Sequence, residues 1–180
     1  GSPAFGTPES VKSQFASGQM ARRYRLPWRS SNATASPVVD AQAAYEAEMA
    51  VWGAVMGGVN LLYQGAGWLE GGLTASFEKL IIDAEILQMI SEVLQPFIVD
   101  DAALGLDAIA EVGPGGHFFG AAHTLERYET AFYRPIVSDW RNFETWEADG
   151  AQTATQRANG IWKRLLAEAS NGGANEPDDV

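Results

Sequence analysis

The fold is decided by residues 59–76, which read VNLLYQGAGWLEGGLTAS. The first five of these residues are mostly apolar and are bounded by glycines, which predicts a short buried strand ending at Tyr63. A helix with a broad apolar surface is predicted next, from about Thr74 to about Gln95. A strand followed by a helix is the repeating unit of α/β folds.

The loop between that strand and that helix is a candidate site. It covers residues 65–72 and places an aromatic ring and a carboxylate, Trp68 and Glu70, among glycines. Glycine lets the backbone turn sharply and lets other groups approach closely. Strand–helix junctions are also where α/β proteins build their binding sites.

A second strand–helix pair precedes this stretch. Residues 26–30 are expected to be extended, because Pro27 disfavours a helical residue before it. A loop of small residues, 31–37, leads to a helix capped by Asp40 and ended by the glycines at 57–58. The order of elements predicts an α/β fold with a parallel sheet or barrel. Only two or three strands are evident, whereas a closed barrel needs eight and about 250 residues, so a helix-rich, incomplete barrel is expected.

Caps and apolar spacing predict the other helices and their inward faces. The helices are one capped by Thr7 and ending near Arg23, one from Asp100 to about Val112, one from Thr124 to Phe132, and one opened by the capping box Thr153–Gln156. The residues expected to face the core are Tyr45, Met49, Trp52 and Met56 in the Asp40 helix, and Ile161, Trp162 and Leu165 in the last helix. Residues 171–180 are rich in Gly, Asn, Pro and Asp, which predicts a disordered tail.

Composition excludes several classes of function. The 180 residues carry a net charge of −11, which argues against nucleic acid and against an anionic membrane surface as partners. The chain has no cysteine and two histidines, which excludes a disulfide scaffold and thiolate metal sites and argues against a structural zinc site. No apolar run is as long as a membrane span, and the first residues lack the pattern of a signal peptide, so a cytoplasmic protein is expected.

Several separate blocks of the sequence resemble the trimethylamine methyltransferase family. The blocks are residues 2–9, 18–24, 40–46, 67–72, 111–120 and 139–146. They extend over nearly the whole chain, so the resemblance is far more specific than one short motif.

The resemblance implies an enzyme that moves a methyl group from a methylamine or quaternary amine to cobalt. The cobalt belongs to a corrinoid (cobalamin) on a separate partner protein that docks at the mouth of a TIM (β/α)8 barrel, so this chain binds no cofactor directly. Members of the family are much longer, and residues 1–170 correspond to the C-terminal part of the barrel. Only standard residues occur here, which favours the branch without pyrrolysine, whose substrates include glycine betaine.

A quaternary ammonium offers no proton for a hydrogen bond and is held by aromatic faces. Trp68 is the first candidate for this contact, with a core position as the equal alternative. Core packing is favoured over substrate contact for Tyr63, at the strand end. For Glu70, bonding of loop amides is favoured over substrate contact, because a nearby carboxylate would stabilise the ground state and slow transfer.

A glycine-rich loop at residues 113–120 carries the other candidates, His117, Phe118 and Phe119. His117 is expected to bind a substrate carboxylate or the corrinoid rim, or alternatively to tie down its own loop. The loop lacks the spacing of phosphate-binding motifs. A structural role is expected for His123, and Asp83 is expected to bond backbone or arginine. No catalytic residue is assigned, and no metal-ligand cluster is evident.

Two other interpretations remain open. A truncated barrel exposes sheet edges and apolar surface, so the chain could serve as a non-catalytic assembly module or homo-oligomer. A helical α+β domain without this chemistry is the third interpretation. The 180-residue chain alone is expected to be inactive, since it supplies only part of a barrel mouth.

Overall fold

The structure, a computed structural model, describes residues 3–172. In chain order its elements are α1 (Pro8–Tyr24), β1 (Arg29–Ser31), α2 (Ala41–Met56), β2 (Leu61–Tyr63), β3 (Trp68–Leu69), β4 (Thr74–Ala75), α3 (Phe77–Val93), α4 (Asp101–Leu104), α5 (Leu106–Val112), α6 (Ala122–Leu125), α7 (Phe143–Ala148) and α8 (Ala154–Gly172). The chain is therefore a helix-rich α/β protein with a few short strands.

These elements form two compact units. The larger unit contains the described residues up to Gln88 and those from Pro135 onward. The smaller unit is Met89–Arg134, which includes α4, α5 and α6.

The predicted strand–helix–strand unit is confirmed in the larger unit. β1 and β2 are parallel neighbours in the register Arg29↔Leu61, Ser30↔Leu62 and Ser31↔Tyr63, and α2 connects them. The Asp40 carboxylate caps α2 by accepting hydrogen bonds from the amides of Gln42 (2.9 Å) and Ala43 (3.3 Å). The predicted burial of β2 is wrong, because Leu61 and Tyr63 are both exposed.

Small side chains form the buried face of α2, and the predicted apolar face is wrong. Tyr45, Met49 and Met56 are exposed and Trp52 is half-buried. The buried residues of the helix are Ala43, Glu46, Ala47, Ala50, Val51, Gly53 and Ala54. The reason is the close approach of α1, which leaves room only for short side chains at the contact.

The core of the larger unit lies between α3, α8 and the chain around Val137. Its buried members are Ile81, Val137 and Ala158, with Ile82, Ile161 and Trp162 packed against them. The predicted inward positions of Ile161 and Trp162 are thus confirmed, whereas Leu165 is exposed. The capping box of α8 is also confirmed, with Gln156 N to Thr153 Oγ1 at 3.3 Å and Thr153 N to Gln156 Oε1 at 2.8 Å.

The smaller unit differs from the prediction at two helices. The helix expected from Asp100 to Val112 is two helices, because Gly105 adopts a left-handed conformation (φ 60°) between α4 and α5. The helix expected from Thr124 to Phe132 is wrong: α6 has already begun at Ala122 and ends at Leu125, so Thr124 lies inside it.

The predicted tail begins within α8, which continues to Gly172, and residues 173–180 lie outside the described residues. Among residues 3–172, no helix combines the length and apolarity that crossing a membrane requires.

Gly18→Ala tests the close contact of α1 with α2. A Cβ at Gly18 would collide with the Gly57 carbonyl, whose carbon would be only 2.9 Å away. We expect the free energy of unfolding to fall by about 1–3 kcal/mol, the usual cost of overpacking. Urea denaturation measures it.

Gly160→Ala is the matched control, because Gly160 lies in α8 and an added Cβ there meets nothing within 4 Å. Alanine should raise the free energy of unfolding by about 0.5–1 kcal/mol at this position through helix propensity. Equal effects of the two substitutions would contradict the proposed steric cause.

Candidate functional site

Two loops lie side by side at the carboxyl ends of β1 and β2. Residues 32–36 follow β1 and residues 64–71 follow β2, and we call them the paired loops. In parallel sheets this edge is where ligands bind. Four hydrogen bonds join the loops: Asn32 Nδ2 to Gly65 O (2.8 Å), Thr34 Oγ1 to Trp68 O (2.9 Å), Gly71 N to Thr34 O (2.7 Å) and Glu70 N to Ser36 O (3.0 Å).

The second paired loop continues into a small hairpin. β3 and β4 pair antiparallel, with Trp68 opposite Ala75 and Leu69 opposite Thr74. The turn forces Glu70, which is not a glycine, into a left-handed conformation (φ 51°). A strained backbone conformation persists only where surrounding contacts hold it, and such conformations are found most often at active sites and ligand sites.

A cavity of about 180 Å³ opens beside this hairpin. Trp68 and Phe77 give it two aromatic walls, and the Phe77 ring stacks on Trp162 with centroids 5.0 Å apart. The full lining is Ala66, Gly67, Trp68, Ala75, Ser76, Phe77 and Leu80. The cavity is therefore lined by apolar and aromatic side chains, as small-molecule sites usually are.

A buried ion pair lies on α3 next to the cavity wall. The side chains of Lys79 and Asp83 are 0% exposed and pair with each other one helical turn apart. Asp83 Oδ2 also accepts a hydrogen bond from the amide of Gly67, at 2.8 Å. Burial lowers the pKa of Lys79 and raises the pKa of Asp83, because each charged group loses hydration; their mutual attraction acts in the opposite direction.

Glu46 on α2 holds the backbone of the first paired loop in place. Its Oε2 accepts hydrogen bonds from the amides of Ala35 (2.7 Å) and Ser36 (3.1 Å), and its Oε1 accepts one from Gln42 Nε2 (2.8 Å). The side chain is almost fully buried. Those hydrogen bonds compensate the carboxylate for its lost hydration.

Glu78 joins the start of α3 to α8. Its carboxylate accepts hydrogen bonds from Asn159 Nδ2 (2.6 Å), Trp162 Nε1 (2.9 Å) and the hydroxyl of Ser76 (2.9 Å). These bonds, that of Asn159 first, lower the pKa of Glu78 to about 2. These bonds thereby fix Ser76, which lines the cavity, and Trp162, on which the Phe77 wall stacks.

In the smaller unit, an exposed turn carries His117, Phe118 and Phe119. Phe118–Gly120 form a single 3-10 turn, and the His117 ring lies 5.6 Å from the ring of Phe119. Phe119 is 83% exposed. These rings are therefore presented on the surface of their unit.

Comparison with known proteins decides the family. The sequence model of the trimethylamine methyltransferase (MTTB) family matches residues 1–176. The chain belongs to this family. It is 38% identical over 168 residues to the glycine betaine methyltransferase of Desulfitobacterium hafniense strain Y51, covering 93% of this chain and 35% of that protein.

Two trimethylamine methyltransferases are also similar. MttB of D. hafniense strain DSM 10664 / DCB-2 is 34% identical over 154 residues, covering 85% of this chain and 31% of that protein. MttB2 of Methanosarcina mazei is 32% identical over 162 residues, covering 88% and 32%. The chain thus spans about a third of the length of these members of the trimethylamine methyltransferase family.

Within this family member, the predicted site residues of the larger unit have three different surroundings. Trp68 lines the cavity. Glu70 accepts a hydrogen bond from the hydroxyl of Thr74 (2.6 Å), whereas loop amides were expected as its donors. Tyr63 is 50% exposed and is covered by the guanidinium of Arg29, 4.6 Å from the ring centre, so the expectation of core packing is wrong.

The remaining candidates hold the backbone of their own units. His123 Nε2 lies 2.6 Å from the carbonyl of Ala102, the kind of backbone contact that a structural histidine makes. Asp83 bonds backbone, as expected, but its charged partner is a lysine rather than an arginine. Among residues 3–172, no cluster of His, Asp or Glu is arranged to hold a metal.

Sequence reasoning missed Lys79, Glu46, Asn32 and Thr34. The available signal was the i, i+4 spacing of Lys79 and Asp83 inside an apolar stretch of α3, where charged residues are rarely buried unless paired. Asn32 and Thr34 lie in what seemed only a loop of small residues. Their alternation along an extended segment places both side chains on the side of the second loop.

Glu78→Gln tests the junction behind the cavity. The folded pKa of about 2 lies below the ordinary value of 4.5, so the stabilisation is complete above pH 4.5 and is lost as the pH falls toward 2. We expect the substitution to lower the free energy of unfolding by about 1–3 kcal/mol at pH 7. It should also flatten the loss of stability between pH 4.5 and 2, measured by denaturation at several pH values.

Glu168→Gln is the control, because Glu168 is an exposed carboxylate on α8 whose ion-pair partner, Arg164, is exposed as well. The free energy of unfolding of Glu168→Gln should fall with decreasing pH in the same way as that of the unchanged chain. An unaltered acid profile in Glu78→Gln would show that the carboxylate does not stabilise the junction.

Proposed function

We propose that this chain is part of an enzyme that transfers a methyl group from a quaternary amine such as glycine betaine, or from trimethylamine, to the cobalt of a corrinoid protein. In this proposal the parallel pair β1–β2 and its helices are the C-terminal part of a TIM (β/α)8 barrel, and the reaction takes place in the cytoplasm. Family membership and the strand–helix–strand topology support it.

The cavity beside Trp68 carries the proposal. A methylated ammonium group binds aromatic faces by cation–π attraction, and Trp68 with Phe77 supplies two of them. The cavity adjoins the loop at the carboxyl end of β2, where active sites of such barrels form.

The charge pattern around the cavity fits methyl departure. Within the described chain, the residues that line the cavity include no carboxylate, and the nearby Glu78 is held by Ser76, Asn159 and Trp162. An ammonium loses its positive charge as the methyl group leaves, so a carboxylate in contact would stabilise the substrate more than the transition state. Aromatic walls bind the cation with less of that penalty.

A quaternary amine is favoured over trimethylamine on sequence grounds. The chain contains standard residues only, and the relative with 38% identity is a glycine betaine methyltransferase. A substrate carboxylate would also need a hydrogen-bond donor.

The corrinoid is proposed to reside on the partner protein. When that partner is docked, reduced cobalt supplies the nucleophile for the methyl group. The residues of this chain would bind and orient the amine and exclude water. The exposed His117, Phe118 and Phe119 turn fits contact with a partner surface, because its rings are not engaged in a core.

Trp68→Leu tests the proposed binding site. Leucine keeps an apolar wall but removes the cation–π partner, which is worth about 0.5–2 kcal/mol. We expect the Kd of glycine betaine to rise about tenfold by calorimetry on this chain. Methylcobalamin formation, followed spectroscopically with the corrinoid partner and the longest natural polypeptide that carries these residues, should show a matching rise in KM.

Two controls separate charge from shape. 3,3-Dimethylbutanoate replaces the charged nitrogen of glycine betaine by carbon, so Trp68→Leu should scarcely change its affinity. Trp140→Leu alters an exposed tryptophan outside the cavity and should leave both affinities unchanged. Equal losses for the two ligands, or no binding of either by the unchanged chain, would contradict the proposal.

A second role, as an assembly module, is favoured by the exposed face of β2. Leu61 and Tyr63 lie on the same face of the strand and are 59% and 50% exposed, although the Arg29 guanidinium lies over the Tyr63 ring. If this face mediates assembly, light scattering should give a mass of about twice 19.4 kDa.

Leu61→Glu should then restore the monomer, because it places a charge in the apolar contact. Leu73→Glu is the matched control at another exposed leucine and should leave the mass unchanged. A monodisperse monomer of the unchanged chain would rule out this second role.

A further inference from the structure

The position of Lys79 demands an explanation. Its ammonium group is fully buried with Asp83 as its ion-pair partner. Replacing a buried ion pair by apolar side chains is often neutral or stabilising, because both charges must be desolvated. A gain in stability is therefore a weak explanation for a lysine at this position, and the contacts of Lys79 suggest another role.

Asp83 connects Lys79 to the second paired loop. One carboxylate oxygen pairs with Lys79, and the other accepts the amide hydrogen of Gly67, which lines the cavity. This amide is directed into buried space against α3, where an unpaired N–H group would cost the full penalty of desolvation. The side chain of Asn32, in the first paired loop, also favours the charged form of Asp83.

The Asp83 carboxylate depends on Lys79. Removal of the cation leaves this buried carboxylate without its ion-pair partner, whereas Glu46 still accepts hydrogen bonds from the amides of Ala35 and Ser36. The acceptor of the Gly67 amide then carries a buried charge without compensation, which is strongly unfavourable.

We propose that Lys79 is a positioning residue: its buried ammonium fixes the carboxylate of Asp83, and through it the Gly67 amide of the second paired loop, which lines the Trp68 cavity. Lys79 does not touch the ligand. The nature of that ligand rests on the proposed function, whereas the positioning of the loop does not.

Lys79→Met tests the positioning directly in the ligand-free 180-residue chain. Methionine preserves length and apolar volume but removes the charge. We expect the Gly67 amide proton to shift upfield in ¹H–¹⁵N spectra and its protection against hydrogen exchange to fall roughly tenfold or more, while amides of α8 keep theirs. Lys12→Met, at an exposed lysine of α1, should leave the Gly67 signal unchanged.

The double variant Lys79→Met, Asp83→Asn provides the rescue. The asparagine carbonyl still accepts the Gly67 amide, and no uncompensated charge remains at that position. We expect the Gly67 shift and protection to return toward those of the unchanged chain. If Lys79→Met fails to fold, recovery of a folded chain with a restored Gly67 signal in the double variant supports the proposal.

Three results would overturn the proposal. The first is a Gly67 amide signal and exchange protection that do not change in folded Lys79→Met. The second is a Gly67 amide signal that stays shifted in the folded double variant. The third is a double variant that does not fold, since the ion pair would then serve the fold as a whole.

A ligand measurement separates this proposal from the proposed function. In the longest natural polypeptide that carries these residues, assayed with glycine betaine and the corrinoid partner, Lys79→Met should lower kcat/KM by roughly a hundredfold, because small displacements of a site are costly. A perturbed Gly67 amide without any response to glycine betaine would leave the positioning role intact and refute the substrate.

Discussion

The ion pair of Lys79 and Asp83 is the interaction on which the larger unit's candidate site depends. It lies one turn into α3, fully buried, and it gives the amide of Gly67 a charged acceptor. The backbone can therefore leave β2, turn sharply and return as a hairpin without an unpaired buried N–H. Trp68 follows directly and owes its place at the cavity to that anchored turn.

Packing of small residues brings the first paired loop, residues 32–36, to the same edge of the sheet as the second. Gly18 and Gly57 let α1 approach α2 closely, and the buried face of α2 is largely alanine. From that face Glu46 reaches the amides after β1. The packing of α2 and the hydrogen bonds of Glu46 therefore depend on each other, because the Glu46 carboxylate can reach the loop only if α2 lies close to the sheet.

The candidate site combines a rigid polar support with an apolar cavity. Charges are paired beneath the loops, and aromatic rings form the walls above them. This division suits a ligand whose own charge is spread over methyl groups and cannot be hydrogen-bonded. The exposed aromatic turn of the smaller unit presents its rings differently, on a surface rather than around a cavity.

The sequence by itself determined the family, the strand–helix–strand unit and the caps at Thr7, Asp40 and Thr153, because local spacing and side-chain chemistry carry those signals. It also named Trp68 as a candidate, and the structure places that residue in the wall of a cavity. Only the tertiary structure decided that alanines rather than Tyr45 and Met49 are buried on α2, and that Lys79, Glu46, Asn32 and Thr34 support the loops. These features arise from contacts between residues far apart in the chain. Periodicity shows which face of a helix is apolar, whereas the distance between neighbouring elements decides which face is buried.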